Sequence, residues 1–211
     1  MAPDSGEGNG GVRRRSGRRA EILKTAARLF AANGYHATSM ADLTEAAGVG
    51  KGALYHHIGS KEKLLYDISA EHVIEMVEYG TELLETDLSA VEKLRRLSRR
   101  LMRTIAENLP ELTVFFSEHR ALDEQHDGEL KRMRERFEEI WAQILAEGHE
   151  AGVFRTAEPL TVKAILGCHN YAYLWLNPEG PLTPEEISDM FCDLLLGGLL
   201  TPQAARTRIA L

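Results

Sequence analysis

Between Thr38 and Ile58 the chain runs Thr-Ser-Met-Ala-Asp-Leu-Thr-Glu-Ala-Ala-Gly-Val-Gly-Lys-Gly-Ala-Leu-Tyr-His-His-Ile, two short segments parted by Gly-Val-Gly. Met40 to Ala47 reads as a helix that Thr38 or Ser39 can cap and Gly48 stops, because glycine enters the left-handed conformation of a helix end without steric cost. Lys51 to Ile58 reads as a second helix, closed by Gly59. Ala46, Ala47 and Val49 are small enough to let the pair approach, and Leu43 and Leu54 are placed to pack beneath it. A short helix, a tight turn and a second short helix make a helix-turn-helix, whose second helix can enter the major groove of duplex DNA.

The flanks extend this pattern. Residues 1–14 are Gly-rich at the start and lack apolar periodicity, so they are expected to form a disordered arm. From Ser16 the pattern turns helical: Ile22, Ala26, Leu29 and Phe30 fall on one stripe before Gly34 stops the helix. Ser60 opens a much longer helix with Leu64, Leu65, Ile68, Val73, Met76 and Val77 on its apolar face. Ser89 to Glu92 and Thr183 to Glu186 fit the capping box, and Pro184 stands at a first helical position. Further helices are predicted over 90–108, 110–118, 129–150, 159–176 and 184–198. Strand alternation and Asn-Gly hairpin signals are absent. The expected class is all-α: a three-helix DNA-binding domain over 15–63, a larger helical ligand-binding and dimerisation domain over 64–200, and a tail over 201–211.

The net charge of −7 looks wrong for a nucleic-acid binder until it is divided along the chain. Residues 1–63 carry ten Lys/Arg against six acids, a net of +4, while the remainder carries −11. A basic head suits phosphates, and an acidic body stays off them. With 44% hydrophobic residues the chain can bury a core, yet no apolar run approaches the roughly 18 residues of a membrane span. The N-terminus lacks the apolar segment of a secretion signal. A soluble, cytoplasmic protein is expected, with no membrane partner. Cys168 and Cys192 lack the spacing of a zinc site and read as two buried thiols; no metal and no cofactor is expected.

Within the head, Lys51 adds charge at the start of the recognition helix and Gly52 clears space for a close backbone approach. Tyr55 reads either as a phosphate contact through its hydroxyl or as core, and His56 either meets a phosphate or a base edge. His57 points to a different face and reads as packing or capping and not as a contact. Lys61 begins the following helix, where unpaired N–H groups favour the same phosphate. The expected DNA contacts are Arg15, Arg18, Thr38, Ser39, Lys51, Gly52, Tyr55, His56 and Lys61, with the arginine arm along the backbone or in the minor groove.

The stretch from Ile22 to Leu65 carries Ala-x-x-Leu-Phe at 26–30, Gly-Tyr at 34–35, Thr-Ser-Met at 38–40 and Gly-x-Gly-Lys-Gly-x-Leu-Tyr-His-His at 48–57. In these motifs it closely resembles the DNA-binding domain of TetR-family regulators. The resemblance implies a three-helix reader, a long connecting helix, a ligand-binding body and a homodimer built largely from the last two helices. Gly50 departs from the capping Ser usual at that place, and Ile58 with Gly59 departs from Phe followed by a polar residue.

In the body, two apolar helices flank Asn177 to Pro181 and expose more apolar surface than one subunit should. Leu166, Tyr173, Met190, Phe191, Leu194 and Leu195 are the expected dimer interface, completed as a four-helix bundle by a second copy. Phe115, His119, Trp141, His169, Tyr171 and Trp175 are candidates for lining an effector pocket, though any of them also reads as ordinary core. From Leu112 onward, above all in Tyr-x-x-x-Trp at 171–175 and Asn-Pro-x-Gly-Pro-Leu-Thr at 177–183, the body resembles TetR regulators of fatty-acid or steroid breakdown that respond to acyl-CoA thioesters. That resemblance implies a hydrophobic effector, with an acyl-CoA as the preferred class. Two rivals stay open: a DNA-binding regulator with no small-molecule ligand, and an all-α enzyme. His149-Glu150 begins like a zinc-protease motif, but Val153 stands where the second His belongs, and no catalytic residues are assigned.

Overall fold

The computed structural model describes residues 8–118 and 121–209, with the side chains of 17–118 and 121–206. Residues 1–7 of the expected arm and His119 lie outside the described residues. Regular structure among the described residues is helical, apart from one isolated bridge between Phe154 and Leu200. In order come α1 (Gly8–Asn33), α2 (Met40–Ala47), α3 (Lys51–Ile58), α4 (Lys61–Leu84), α5 (Ala90–Glu107), α6 (Leu109–Glu118), α7 (Glu124–Glu150), α8 (Pro159–Asn170), a 3₁₀ turn (Tyr171–Leu174), α9 (Pro184–Leu199) and α10 (Pro202–Ile209).

Four boundaries differ from the sequence reading. The backbone of residues 8–14 is helical and not an irregular arm: once later turns are anchored, each added residue gains a hydrogen bond, and the arginines favour the helix. Helix α7 starts ahead of residue 129 because the Asp123 carboxylate accepts the His126 N–H at 2.8 Å and caps it. Helix α8 ends at Asn170, and the chain tightens into the 3₁₀ turn that closes with Trp175 N–H donating to Ala172 O. The tail forms α10, whose Thr201 hydroxyl accepts from Ala204 N–H with Pro202 at the first helical position. Thr201-Pro202 thus repeats the signal of Thr183-Pro184, where the full capping box forms. At Ser89 only half the box forms, since Glu92 pairs with Arg96 at 2.8 Å instead.

The chain divides into two compact units. The first holds the residues up to Ser69 together with Pro110–Gly128, and the second holds Ala70–Leu109 with the residues from Glu129 onward. The division therefore falls inside α4, later than the boundary expected at 63. Segment 110–128 joins the first unit because Val114 is fully buried in its core, with Ala121 and Leu122 packed against it. That core gathers Ile22, Ala26 and Phe30 of α1, Leu43 of α2, Leu54 and Ile58 of α3, and Leu64, Leu65 and Ile68 of α4.

In the second unit α5 lies antiparallel to α9 and presents two different sets of groups to it. On the outer set, Arg95, Arg99 and Arg103 recur every fourth residue and meet Asp193, Asp189 and Glu185, which recur every fourth residue in the opposite sense. Arg99 grips Asp189 with two bonds of 2.7 and 2.8 Å, and Arg103 Nε reaches Glu185 at 2.7 Å. Part-exposed pairs of this kind contribute about 0–1 kcal/mol each, so the ladder sets register more than it adds stability. Buried Leu94, Leu97, Leu101 and Ile105 supply the stability, at roughly 1.5–3 kcal/mol per fully buried side chain.

The inner set is a sealed chain of hydrogen bonds. His169 Nδ1–H donates to Ile165 O at 2.8 Å, an acceptor that fixes the tautomer. Its Nε2 then accepts from the Ser98 hydroxyl at 2.5 Å, and Ser98 oxygen lies 2.7 Å from Ser188 Oγ. All three residues are fully buried. Burial pushes the His169 imidazole below its ordinary range and keeps it neutral.

A pH dependence follows. A depressed folded pKa means that the unfolded chain binds the extra proton, so the stability this group contributes is complete above about pH 6.5 and is lost as pH falls below it. Thermal or urea unfolding should show declining stability on acidification, with this group adding at most about 1.4 kcal/mol per pH unit. His169→Gln should flatten that component; identical pH profiles for variant and wild type would rule it out.

Candidate nucleic-acid interface

Helices α2 and α3 hold their expected bounds, and their ends explain why. The Ser39 hydroxyl accepts from Asp42 N–H at 3.2 Å while the Asp42 carboxylate accepts from Ser39 N–H at 2.7 Å, a full capping box at the start of α2. These bonds hold the Asp42 carboxyl below its usual range. Gly48 closes α2 at φ +61°, in the left-handed region. Gly50 begins α3 with no side-chain cap, as its departure from Ser implies. Leu43 and Leu54 are buried beneath the pair.

Lys51, Gly52, Tyr55 and His56 stand exposed along α3. Tyr55 is 42% exposed, which sets aside the reading of it as core. With Met40, Ala41, Thr44 and Glu45 of α2, Lys51 and Tyr55 border a groove of about 480 Å³. His57 is half-buried, its ring edge against His56 at 5.7 Å between centroids. Ser39 is exposed, and within the cap its hydroxyl accepts from Asp42 N–H and donates to the Asp42 carboxylate.

Three expected contacts sit differently. Thr38 is only 2% exposed and its hydroxyl donates to Gly34 O at 2.9 Å, so that side chain belongs to the turn after α1. Arg18 turns inward: Nη2 donates to Ala47 O at 2.9 Å and more loosely to Gly48 O, while Nη1 pairs with Glu21 at 2.8 Å. A guanidinium on the last carbonyls of α2 satisfies groups that no helical N–H reaches and complements the negative end of the helix dipole. Arg15 lies on α1, with its side chain outside the described residues.

Lys61 is half-buried, and sequence reasoning missed its partner. Its ammonium lies 4.3 Å above the Tyr35 ring and 6.0 Å from that of Phe30. Tyr35 is buried, edge-on to Phe30, and its phenol is pushed up by burial and by Glu62. A cation held over an aromatic face has fewer positions to lose when it meets a phosphate. Close by, Asp67 of α4 takes Arg19 of α1 at 2.6 Å and Lys63 of its own helix, and Lys63 also overlies Tyr66. Tyr66 in turn packs on the His126 ring at 4.6 Å.

Of the expected pocket residues, Trp141, His169 and Trp175 are linked through the Phe191 ring, with His169–Phe191 at 5.5 Å and Trp175–Phe191 at 6.2 Å between centroids. Phe115 is buried on α6 in the first unit, against Phe116. In the second unit Trp141 is buried beside His169, 6.0 Å between ring centroids, so both are core. Tyr171 and Trp175 stand on the outside, in an open apolar groove of about 520 Å³ with Cys168, Phe191, Leu194 and Leu195. Of the expected interface, Leu194 is 76% exposed and Met190 is also exposed, while Tyr173, Phe191 and Leu195 are half-buried. Leu166 is buried on the inward stripe of α8 with Val162, Ile165 and His169, which removes it from that face. Exposed Leu174 belongs to the apolar surface expected there, and exposed Leu160, which the sequence reading did not name, adds to it from α8. Cys192 is buried but Cys168 is exposed, correcting the reading of two buried thiols. Among the described residues no cluster suits a metal ion, and no helix is long and apolar enough to cross a membrane.

Residues 22–68 match the family model for bacterial regulatory proteins of the tetR family, and residues 87–199 match that for the tetracyclin repressor-like C-terminal domain. The HTH-type transcriptional repressor KstR2 of Mycolicibacterium smegmatis is 29% identical over 207 residues, which cover 96% of this chain and 98% of that protein. The crystal structure of PfmR, a TetR-family regulator from Thermus thermophilus, is 38% identical at a TM-score of 0.78, covering 83% of this chain and 97% of that one. AibR, crystallised with isovaleryl coenzyme A and operator DNA, is 27% identical at a TM-score of 0.75, covering 85% and 98%.

Positioning and contact make different predictions for the head. Lys51→Ala should weaken binding to any duplex and lower the slope of log affinity against log salt by about 0.9. Arg18→Ala should lower the thermal midpoint and weaken binding while leaving that slope unchanged, because its guanidinium serves α2 and not a phosphate. Fluorescence anisotropy across a salt series decides; a slope reduced equally in both variants would return Arg18 to the contacts.

Proposed function

The chain belongs to the TetR family of DNA-binding transcription regulators, and from that premise we propose that it is a homodimeric repressor released from a near-palindromic operator by a hydrophobic effector. The observation that carries the reading is the exposed row Lys51, Gly52, Tyr55 and His56 on a recognition helix whose underside is buried. With Ser39 and Lys61 it forms the DNA-facing set: Lys51, Ser39 and Lys61 on phosphates, Tyr55 on a phosphate oxygen, and His56 on a phosphate or base edge. The first unit is the reader, and the rest is the effector-binding and dimerising body. The Ser98–His169 pair does not favour an enzyme, since both groups are sealed from any substrate.

Dimerisation uses the outer face of α8 and α9. Met190, Leu194, Tyr171 and Trp175 would otherwise leave a broad apolar surface in water, and a second copy of the same pair covers it with a four-helix bundle. Two reader heads then address half-sites one helical turn, or a multiple of it, apart. An acyl-CoA thioester is the preferred effector, supported by the resemblance of the body and by the isovaleryl coenzyme A complex of AibR. Release has a route: Asp67 ties α4 to α1, and α4 continues past the reader. An effector that prefers one placement of α4 about 100-fold supplies about 2.7 kcal/mol of coupling.

Leu194→Glu should give monomers by analytical ultracentrifugation and lose operator affinity, with little effect on the core of each subunit because the side chain is exposed. A dimeric variant would place the interface elsewhere. Binding to the chain's own upstream DNA should weaken when acyl-CoA thioesters are added; occupancy indifferent to the whole series would remove that effector class.

A further inference from the structure

Helix α5 completes its polar bonds on one side and leaves them open on another. Toward α9, the guanidiniums of Arg99 and Arg103 lie within 2.8 Å of their carboxylates. Toward α4 the same helix offers Arg100, whose Nε is buried with no hydrogen-bond partner and whose Nη2 comes no nearer to Glu75 than 3.7 Å. Its guanidinium carbon stands 5.8 Å from the Tyr79 ring. His72 completes the seam from α4: it is 9% exposed, and neither ring nitrogen has a hydrogen-bond partner. Its Nδ1 is 4.0 Å from the same Glu75 oxygen that faces Arg100. His72, Glu75 and Tyr79 share one stripe of α4 by their spacing. Alongside them Met76 and Leu97 are buried and apolar.

We infer that this α4–α5 seam is a polar subsite that takes the carboxylate or thioester carbonyl oxygen of an otherwise apolar ligand. The inference deepens the effector reading above and rests on it. Buried polar groups are retained where something completes them, and a half-completed network is worse for a fold than an apolar one. The seam presents N–H donors from Arg100 and from the His72 ring, and an oxygen with spare lone pairs accepts both. The buried methionine and leucine beside it suit a hydrocarbon chain. Glu75 is the competitor: it already faces Arg100, loosely, and a ligand carboxylate must displace it.

This last point gives the test a sign that a purely structural role does not share. The full chain is titrated calorimetrically with decanoate, decanoyl coenzyme A and decanol. Arg100→Gln and His72→Leu should each weaken decanoate and decanoyl coenzyme A about tenfold, the loss of one charge-assisted or buried hydrogen bond, while decanol binds as before and reports an intact fold. Glu75→Gln should strengthen decanoate several-fold. Equal losses for all three probes, or variants that bind all three like the wild type, would overturn the subsite alone. A wild-type protein that binds duplex DNA but none of the probes would overturn the subsite and the effector class together, leaving the DNA-binding reading in place.

Discussion

An eight-residue helix is too short to persist by itself, and the helix-turn-helix is made of two of them. What keeps them is completion at their ends and burial underneath. Helix α2 has a reciprocal cap at Ser39 and Asp42, a left-handed glycine at its other end, and the Arg18 guanidinium on its last carbonyls. Helix α3 is fixed from below, through Leu54 and Ile58, and by the turn it shares with α2. The exposed side chains of α3 are consequently held by residues that face away from them. That is why a substitution in the hidden half of the head can alter binding without touching DNA.

The body solves a different problem, which is register. A helix as amphipathic as α5 would pack against α9 in several positions one turn apart if leucines alone decided. The arginine ladder and the sealed Ser98 bonds do not tolerate a slip: moving one turn leaves a terminal arginine unpaired, and moving by less breaks the His169 contact inside the core. Outer and inner sets thus specify the same alignment. Elsewhere in the body Gly80 of α4 permits a close approach to α7, since a side-chain carbon there would fall 2.9 Å from Ile140.

The all-helical class, the bounds of α2 and α3, and the caps at Ser60 and Thr183 were legible because each rests on local chemistry within four residues, and the cap of α2 was narrowed to Thr38 or Ser39. The roles of Arg18, Thr38 and Leu166 were not. A basic residue near a basic cluster looks the same whether it meets phosphate or the carbonyl end of a helix 29 residues away. Helical periodicity shows that α8 is apolar on two sides without showing which side turns inward, so it cannot keep Leu166 off the outer face or separate Tyr171 and Trp175 from the core residues beside them. The seam at His72 and Arg100 was invisible for the same reason: pairing across two helices is a property of packing. Tyr35 was within reach, since an aromatic beside a helix-stopping glycine and a lysine at the next helix start both stand in the sequence.

The bare start of α3 has its own consequence. A serine at position 50 would hold the first turn whether or not DNA were present, at a gain of about 1 kcal/mol to the free protein. With Gly50 there, the leading N–H groups of α3 have no side-chain acceptor. The recognition helix therefore owes its first turn to the packing beneath it and not to a cap.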